Sequence, residues 1–557
     1  MMRNIIRGAA LIALAALGAC DKQLTVGNPN SPNASQALAS PSDLENFLGS
    51  YYKRWHTAMY GSQSNVEAMA AVQSFETYST LSNNCIGQRV GIPRAGNDNS
   101  IGNLCTPEQL RVYQIENEVQ RVASSVLKQL NTPGYSLGGE AQDLRGKAFA
   151  QFLRGLALGT LAETYDSTAI IDETMDPTDP GKLAGYKEVG AASLDALQKA
   201  IDFATASNAA TGGNGFPLPT TWIPSSTSFT AAEFIKLAHS YKARYRAGIA
   251  RTKVERDAVD WTAEIADAQA GITADHDNIT STTGGPGDTW RSVFDGPGSY
   301  QTQPPFIIGM GDVSGSYAAW TALPLTARGP NFHMVTPDQR LPQGVTRAEQ
   351  QADFPISSCE VASTPCKRYI ANRASGSDAT AQIPWGGSEY DFNRFHSWTV
   401  KGDGTARNGK LVFFTVAELN LLEAEGQIYK GNFAAAAALI NKTRVGNGKL
   451  PPITALDNTT PVGPDDINCV PKVPTSLTGP LKCGNMMEAL KWEKRLETEN
   501  THWMAWFIDS RGWGDLPEGT PLFWATPFAD LQVRNLPVYS VGGSNPTGGA
   551  PKGTYGW

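Results

Sequence analysis

Six aromatic side chains with the potential to hold a ligand, Trp290, Tyr317, Trp320, Trp385, Tyr390 and Trp398, fall within one stretch of this 557-residue chain. A flat apolar ring can receive the C–H face of a sugar, and the Asn, Asp and Arg residues nearby can serve its hydroxyls. The same rings also suit packing beneath loops, because tryptophan is usually largely buried. A second candidate edge is the segment between Cys85 and Cys105, with Arg89, Arg94 and Asn97. His502, Trp503, Trp506, Asp509 and Arg511 invite a catalytic reading, but an Asp with an Arg two residues on reads better as a structural ion pair. Asp275-His276-Asp277 and Gly402-Asp403-Gly404 hold metal-ligand residue types without the spacing of a known binding loop. No nucleophile elbow, Walker loop or His-Glu-x-x-His is present. The expectation is a chain with no catalytic residue, no metal and no cofactor.

The cysteines divide by context. Cys20 ends an apolar run, Ala9 to Leu17, that follows Arg3 and Arg7 and has about half of the ~20 residues needed to span a bilayer. Leu17, Gly18, Ala19 and Cys20 resemble the lipobox of bacterial lipoprotein precursors. That resemblance implies a signal peptide over 1–19, a diacylglycerol thioether on Cys20, and a polar linker over 20–41. The remaining six cysteines form three sequence-local pairs in a chain read as exported to an oxidising compartment. Six cysteines allow fifteen pairings, and proximity favours Cys85 with Cys105, Cys359 with Cys366, and Cys469 with Cys483. A zinc site is the rival, but the sequence has no Cys-x-x-Cys spacing and no histidine beside any pair.

These groups must be positioned by a mainly α chain. Hydrophobic residues make up 41% and charged residues 18%, enough to bury a large core, and the net charge of −7 argues against a nucleic-acid partner. Ser42-x-x-Glu45, Thr230-x-x-Glu233 and Thr415-x-x-Glu418 read as capping boxes that open helices. Apolar periodicity places helical blocks near 42–80, 107–130, 140–165, 186–206, 229–252, 258–272, 413–445 and 485–507. In the third block Ala141, Ala148, Gly155, Gly159 and Ala162 make a face of small residues suited to close helix packing. Gly431-Asn432 can turn one helix into the next, giving a hairpin loosely like a tetratricopeptide repeat. The helical scaffold occupies mainly 42–275 and 410–510 of a single domain, 42–557. Between about 277 and 408 the helical period gives way to Gly, Pro, Thr and aromatics, a loop-rich, minor-β insertion on the ligand-facing side.

Three stretches together resemble the SusD/RagB family: EAQDLRGKAFAQFLRGLALG from residue 140, AELNLLEAEGQIYKGNFAAAAALINKTR from 417, and EALKWEKRLETENTHWMAWFIDSRGWGDL from 488. Leu536-Pro537-Val538 and Asn545-Pro546 follow in the family's order. The resemblance implies an outer-membrane lipoprotein, facing the cell surface, that caps a SusC-like TonB-dependent β-barrel transporter. It would deliver an oligosaccharide, or less often a peptide, for import, and the C-terminal motif would be scaffold. Two other readings stay open from the residues: a surface-anchored glycan-degrading enzyme, which needs a carboxylate pair across a cleft, and an adhesin or scaffold using helical hairpins to bind protein.

Overall fold

The hydroxyl of Ser40 accepts the amide of Asp43 at 3.2 Å and so caps α1 (Pro41–Tyr60) two residues before the capping box read at Ser42. The computed structural model describes the chain except residues 1–37, 39, 62–65, 79–88, 177–178, 211, 213–215, 284–301, 329–331, 354–365, 367, 375–387, 464, 503 and 544–546. Cys20, Cys85, Cys359, Trp290, Trp385 and Trp503 lie outside the described residues. The chain falls into two units, Met1–Phe47 and Leu48–Trp557. Of the first, little beyond the opening turns of α1 is described; everything below concerns the second.

The helices pair along the chain. After α2 (Val66–Gln73), α3 (Thr106–Leu130) packs on α4 (Glu140–Thr164), α4 on α5 (Tyr186–Ala209), and α5 on α6 (Ala231–Gly248). The small face of α4 does what its residue types suggest. A Cβ on Gly155 would stand 2.7 Å from Leu197 Cγ of α5, and one on Gly159 would collide with the Tyr245 ring of α6. The approach is close enough for Ser193 Oγ of α5 to donate to the Gly155 carbonyl at 2.6 Å. Thr230 and Thr415 cap α6 and α13 (Val416–Tyr429) as read, each hydroxyl accepting the amide of the Glu three residues on.

Between them lie the short α7 (Lys253–Asp257) and α8 (Trp261–Gln269), which packs on both α6 and α13. Gly431, with φ of +75°, turns α13 into α14 (Phe433–Gly446), the hairpin expected from the sequence. α15 (Met486–Thr498) packs on this hairpin. The block read as one helix near 485–507 is instead α15 and α16 (Ala505–Trp513), because Asn500 and Met504 both take positive φ.

Strands are few and short: four two-stranded antiparallel ribbons among the described residues. In the ribbon of β3 (His276–Thr280) and β6 (Gly409–Phe414), Thr280 pairs with Gly409. The chain therefore leaves the helical scaffold and re-enters it at adjacent backbone positions, with 281–408 inserted between them. Phe306, Tyr317, Trp320, Phe332 and Tyr390 of the insertion share one core with Phe75, with Trp492 and Trp506 of α15 and α16, and with Trp557. The observed class is mainly α with minor β, as expected.

Candidate functional site

The described aromatic candidates are core. Tyr317 and Tyr390 have no exposed surface, and Trp398 and Trp320 retain only 2% and 5%. Their polar atoms are largely spoken for: Tyr317 donates to the Phe306 carbonyl (2.7 Å), Trp398 Nε1 to Thr280 Oγ1 (2.9 Å), and Tyr390 to Gln350 Oε1 (3.0 Å). Arg328 stacks over Trp320 at 4.7 Å. None of the four presents an open ring face for a ligand, because Tyr317, Trp320 and Tyr390 pack into the core shared with α15 and α16, and Trp398 packs with Phe392, Phe395 and Leu411. The second edge is buried likewise: Arg89 donates to Asn97 Oδ1 (3.1 Å), and Arg94 lies over the Phe75 ring (4.6 Å), donating to the Val72 carbonyl.

The polar residues of the C-terminal motif are internal struts. Asp509 and Arg511 do not pair with each other. Asp509 binds Lys494 (2.8 Å) and Arg256 (3.1 Å), while Arg511 donates to the carbonyls of Glu163, Gly248 and Leu522. His502 Nε2 is 3.3 Å from Glu418, which Arg244 grips with two bonds of 2.8 Å. Trp506 donates to the Arg495 carbonyl. Asp275, His276 and Asp277 point to separate partners: the Val416 amide, the Tyr52 hydroxyl, and Ser225 with Ser226. Asp403 accepts the Lys410 amide across the turn it begins. Among the described residues no group of three or more His, Cys, Asp or Glu side chains is placed to hold a metal.

Two opposed sets of buried carboxyls give this interior a pH signature. Burial pushes Glu163 up to about 8, with Arg511 offsetting only part, and pushes Glu76 up to about 7. Burial also raises Glu116 and Glu264, whose carboxyl oxygens have no hydrogen-bond partner. Burial opposes ionisation of Glu418 and Glu425 too, but Arg244 with His502 and Arg256 with Lys494 outweigh it and hold both at about 2. Above pH 4.5 the unfolded chain releases protons that the first set keeps, so stability falls as pH rises through 7 and 8. Below 4.5 the unfolded chain takes up protons that the second set refuses, so stability falls towards pH 2. Thermal unfolding followed across pH 3 to 9 should show its highest Tm near pH 4.5 to 5; a Tm still climbing at pH 8 would contradict this balance.

Open surface with binding character lies elsewhere, where α15 begins. Two adjoining cavities of about 430 and 400 Å³ share Asn485, Glu488 and Thr554 and together form a groove. One wall is the ribbon of β7 (Lys472–Pro474) and β8 (Leu481–Cys483), closed by the Cys469–Cys483 disulfide with Cα atoms 5.6 Å apart. This is the pairing expected from sequence proximity. Cys105 and Cys366 are also disulfide-bonded; the partners expected for them, Cys85 and Cys359, lie outside the described residues.

The opposite wall carries Tyr429, Phe433 and Met487, all partly exposed. Tyr429 is held by stacking on Trp261, with ring centroids 4.7 Å apart and planes within 6°. Between the walls, Asn485 caps α15 by accepting the Glu488 amide (3.1 Å) and donates to the Asn458 carbonyl (2.7 Å). Asn458 in turn accepts the Met487 amide (2.9 Å). Glu488 accepts from Tyr555 (2.5 Å) and from Lys491 (3.2 Å), and Lys491 continues to Asp515 (3.1 Å). A preorganised floor with ring faces on one side and amides and hydroxyls around them suits a polyhydroxylated ligand. Among the described residues Glu488 is the one carboxylate lining either cavity, and no second carboxylate there faces it as glycoside hydrolysis requires.

Sequence reading missed this groove because its lining comes from segments between Lys253 and Tyr555 that meet only after folding. The Tyr429-to-Phe433 turn was read for its geometry, and Asn458 and Asn485 gave no periodic signal. The available hint was the Cys469–Cys483 pair, which marks a stapled loop just before a helix.

No family model and no curated protein matches the sequence. Solved structures do match in fold. A SusD superfamily protein from Parabacteroides distasonis superposes with a TM-score of 0.50 at 11% identity, covering 89% of this chain and 98% of that one. A SusD homolog from the same organism gives 0.50 at 14% identity, covering 84% of each chain. A SusD-like carbohydrate binding protein from Bacteroides fragilis gives 0.50 at 12% identity, covering 85% and 86%. The chain has the fold of the SusD superfamily.

Proposed function

We propose, from this fold, that the protein is a non-catalytic lipoprotein that holds an oligomeric nutrient, a glycan in preference to a peptide, and caps a SusC-like TonB-dependent β-barrel for its import. The fold likeness, extending over most of the chain and including a structure described as carbohydrate binding, is the observation that carries the reading. The groove at the start of α15 supports it, with its stacked Tyr429, its amide pair and its single, already engaged carboxylate. The anchor would be Cys20, placing the protein on the outer membrane and facing outwards, and the polar residues after it would give reach.

A tagged copy purified in gentle detergent from its own outer membrane tests the transporter role. The expected result is a near-stoichiometric β-barrel of the TonB-dependent type identified by mass spectrometry. A lipid-modified protein recovered without any barrel would sink the transporter reading and favour the adhesin alternative.

A further inference from the structure

The groove is electropositive on a chain whose net charge is −7. Lys253 and Lys482 line it as outward cations, whereas Lys491, also at its lining, is buried and shared between Glu488 and Asp515. The charge of Glu488 is offset by Lys491, and its carboxylate accepts a hydrogen bond from the Tyr555 hydroxyl. Lys482 is exposed on β8, and no ion-pair partner meets it among the described residues. Lys253 has only the solvent-exposed Asp257 one helical turn away, a pairing that offsets little of its charge. Between these lysines the first turn of the 13-residue α15 contributes the positive end of its dipole. Asp457 lies close by, but its carboxylate is turned onto Thr459 and Thr460 and lines neither cavity.

We infer, resting on the saccharide reading above, that this groove selects an acidic saccharide, one carrying uronic carboxylates or sulfates, with a sugar ring against Tyr429 and an anionic substituent towards Lys482. Ring stacking alone would not distinguish a neutral from an acidic sugar; the uncompensated cations do, by attraction that salt screens.

Calorimetric titration of the mature protein with an oligogalacturonate tetramer and with maltotetraose, at low and high salt, tests this directly. The acidic tetramer should bind about 10-fold or more tightly than the neutral one and weaken with salt. Lys482→Gln, at an exposed position where folding is not at stake, should weaken the acidic ligand by about 3- to 5-fold and leave any neutral binding unchanged. Tyr429→Ala should weaken whichever tetramer binds. Equal or tighter binding of maltotetraose would overturn the acid preference while leaving the saccharide reading intact. Acidic binding indifferent to both substitutions would place the ligand outside the groove and overturn the inference. Failure of both tetramers to bind would count against the saccharide reading itself, and the inference would fall with it.

Discussion

Arg340→Met should destabilise the folded protein by about 3–5 kcal/mol, the cost of leaving buried charge uncompensated. Arg340 is 1% exposed and supplies five hydrogen bonds to three carboxylates: Asp338 at 3.0 and 2.7 Å, Glu493 at 2.6 and 3.0 Å, and Glu497 at 3.0 Å. The carboxylates are themselves buried. Asp338 also accepts from Trp492 Nε1 and the residue-340 amide, Glu497 from the Tyr369 hydroxyl and Asn447 Nδ2, and Arg394 reaches Glu497 only at 3.5 Å. Methionine fills the space but returns none of the charge, so Asp338, Glu493 and Glu497 would repel one another out of water. The substitution also unties the segment around residue 340 from α15, while the bond that the Tyr369 amide donates to the residue-340 carbonyl, just before β4 (Ile370–Asn372), and the Tyr369 hydroxyl bond to Glu497 remain. Urea unfolding at pH 8 should show the loss, and the gap from the parent chain should narrow at pH 5, where Glu493, already raised by burial, takes up a proton more readily and relieves part of the repulsion. A loss below about 1 kcal/mol at pH 8, the level of an exposed pair, would show that the cluster is not held by this arginine.

That cluster shows where sequence reading stops. Glu493, Lys494, Arg495 and Glu497 stand in a motif read as scaffold, and they are scaffold. Their partners Arg340, Asp509 and Asp515 stand up to 157 positions away, with nothing in local spacing to announce them. Local signals carried well. Thr230 and Thr415 cap because a hydroxyl three residues before a glutamate satisfies a helix amide whatever the tertiary context. Gly155 and Gly159 told of close packing because a missing side chain means a near neighbour. Aromatic type carried less. Tyr317, Trp320, Tyr390 and Trp398 were legible as a cluster in a loop-rich region, but whether a ring faces a ligand or a core depends on what the insertion folds over. An insertion of more than 100 residues that docks on α15, α16 and the chain's end covers these rings with the scaffold's own apolar residues. The groove was the least legible part, since its walls are a disulfide-closed ribbon, a helix start and a hairpin turn brought together from distant segments.

Cys20→Ser should move the protein from the membrane to the soluble fraction. On the lipobox reading the thiol would be the nucleophile that takes the diacylglycerol, and serine at that place would not be alkylated. Each buried methylene contributes ~0.8 kcal/mol, so losing more than one acyl chain removes far more binding than any substitution in the folded body removes stability. Nothing else in the described residues can substitute for the anchor by spanning: no helix there is long and apolar enough to cross a membrane. The signal segment is no replacement either, because uncleaved its apolar core from Ala9 to Leu17 covers only about half of the ~20 residues a span requires. Metabolic labelling with a fatty acid, followed by carbonate washing of membranes, reads both halves of the expectation. The parent chain should be labelled and resist the wash; the variant should be unlabelled and released, with unchanged thermal unfolding of the body from Leu48 to Trp557. An unlabelled variant that still resisted the wash would mean that protein contacts hold the molecule at the membrane. A parent chain that took up no label would remove the lipobox reading and, with it, the tether proposed for a lid over a transporter.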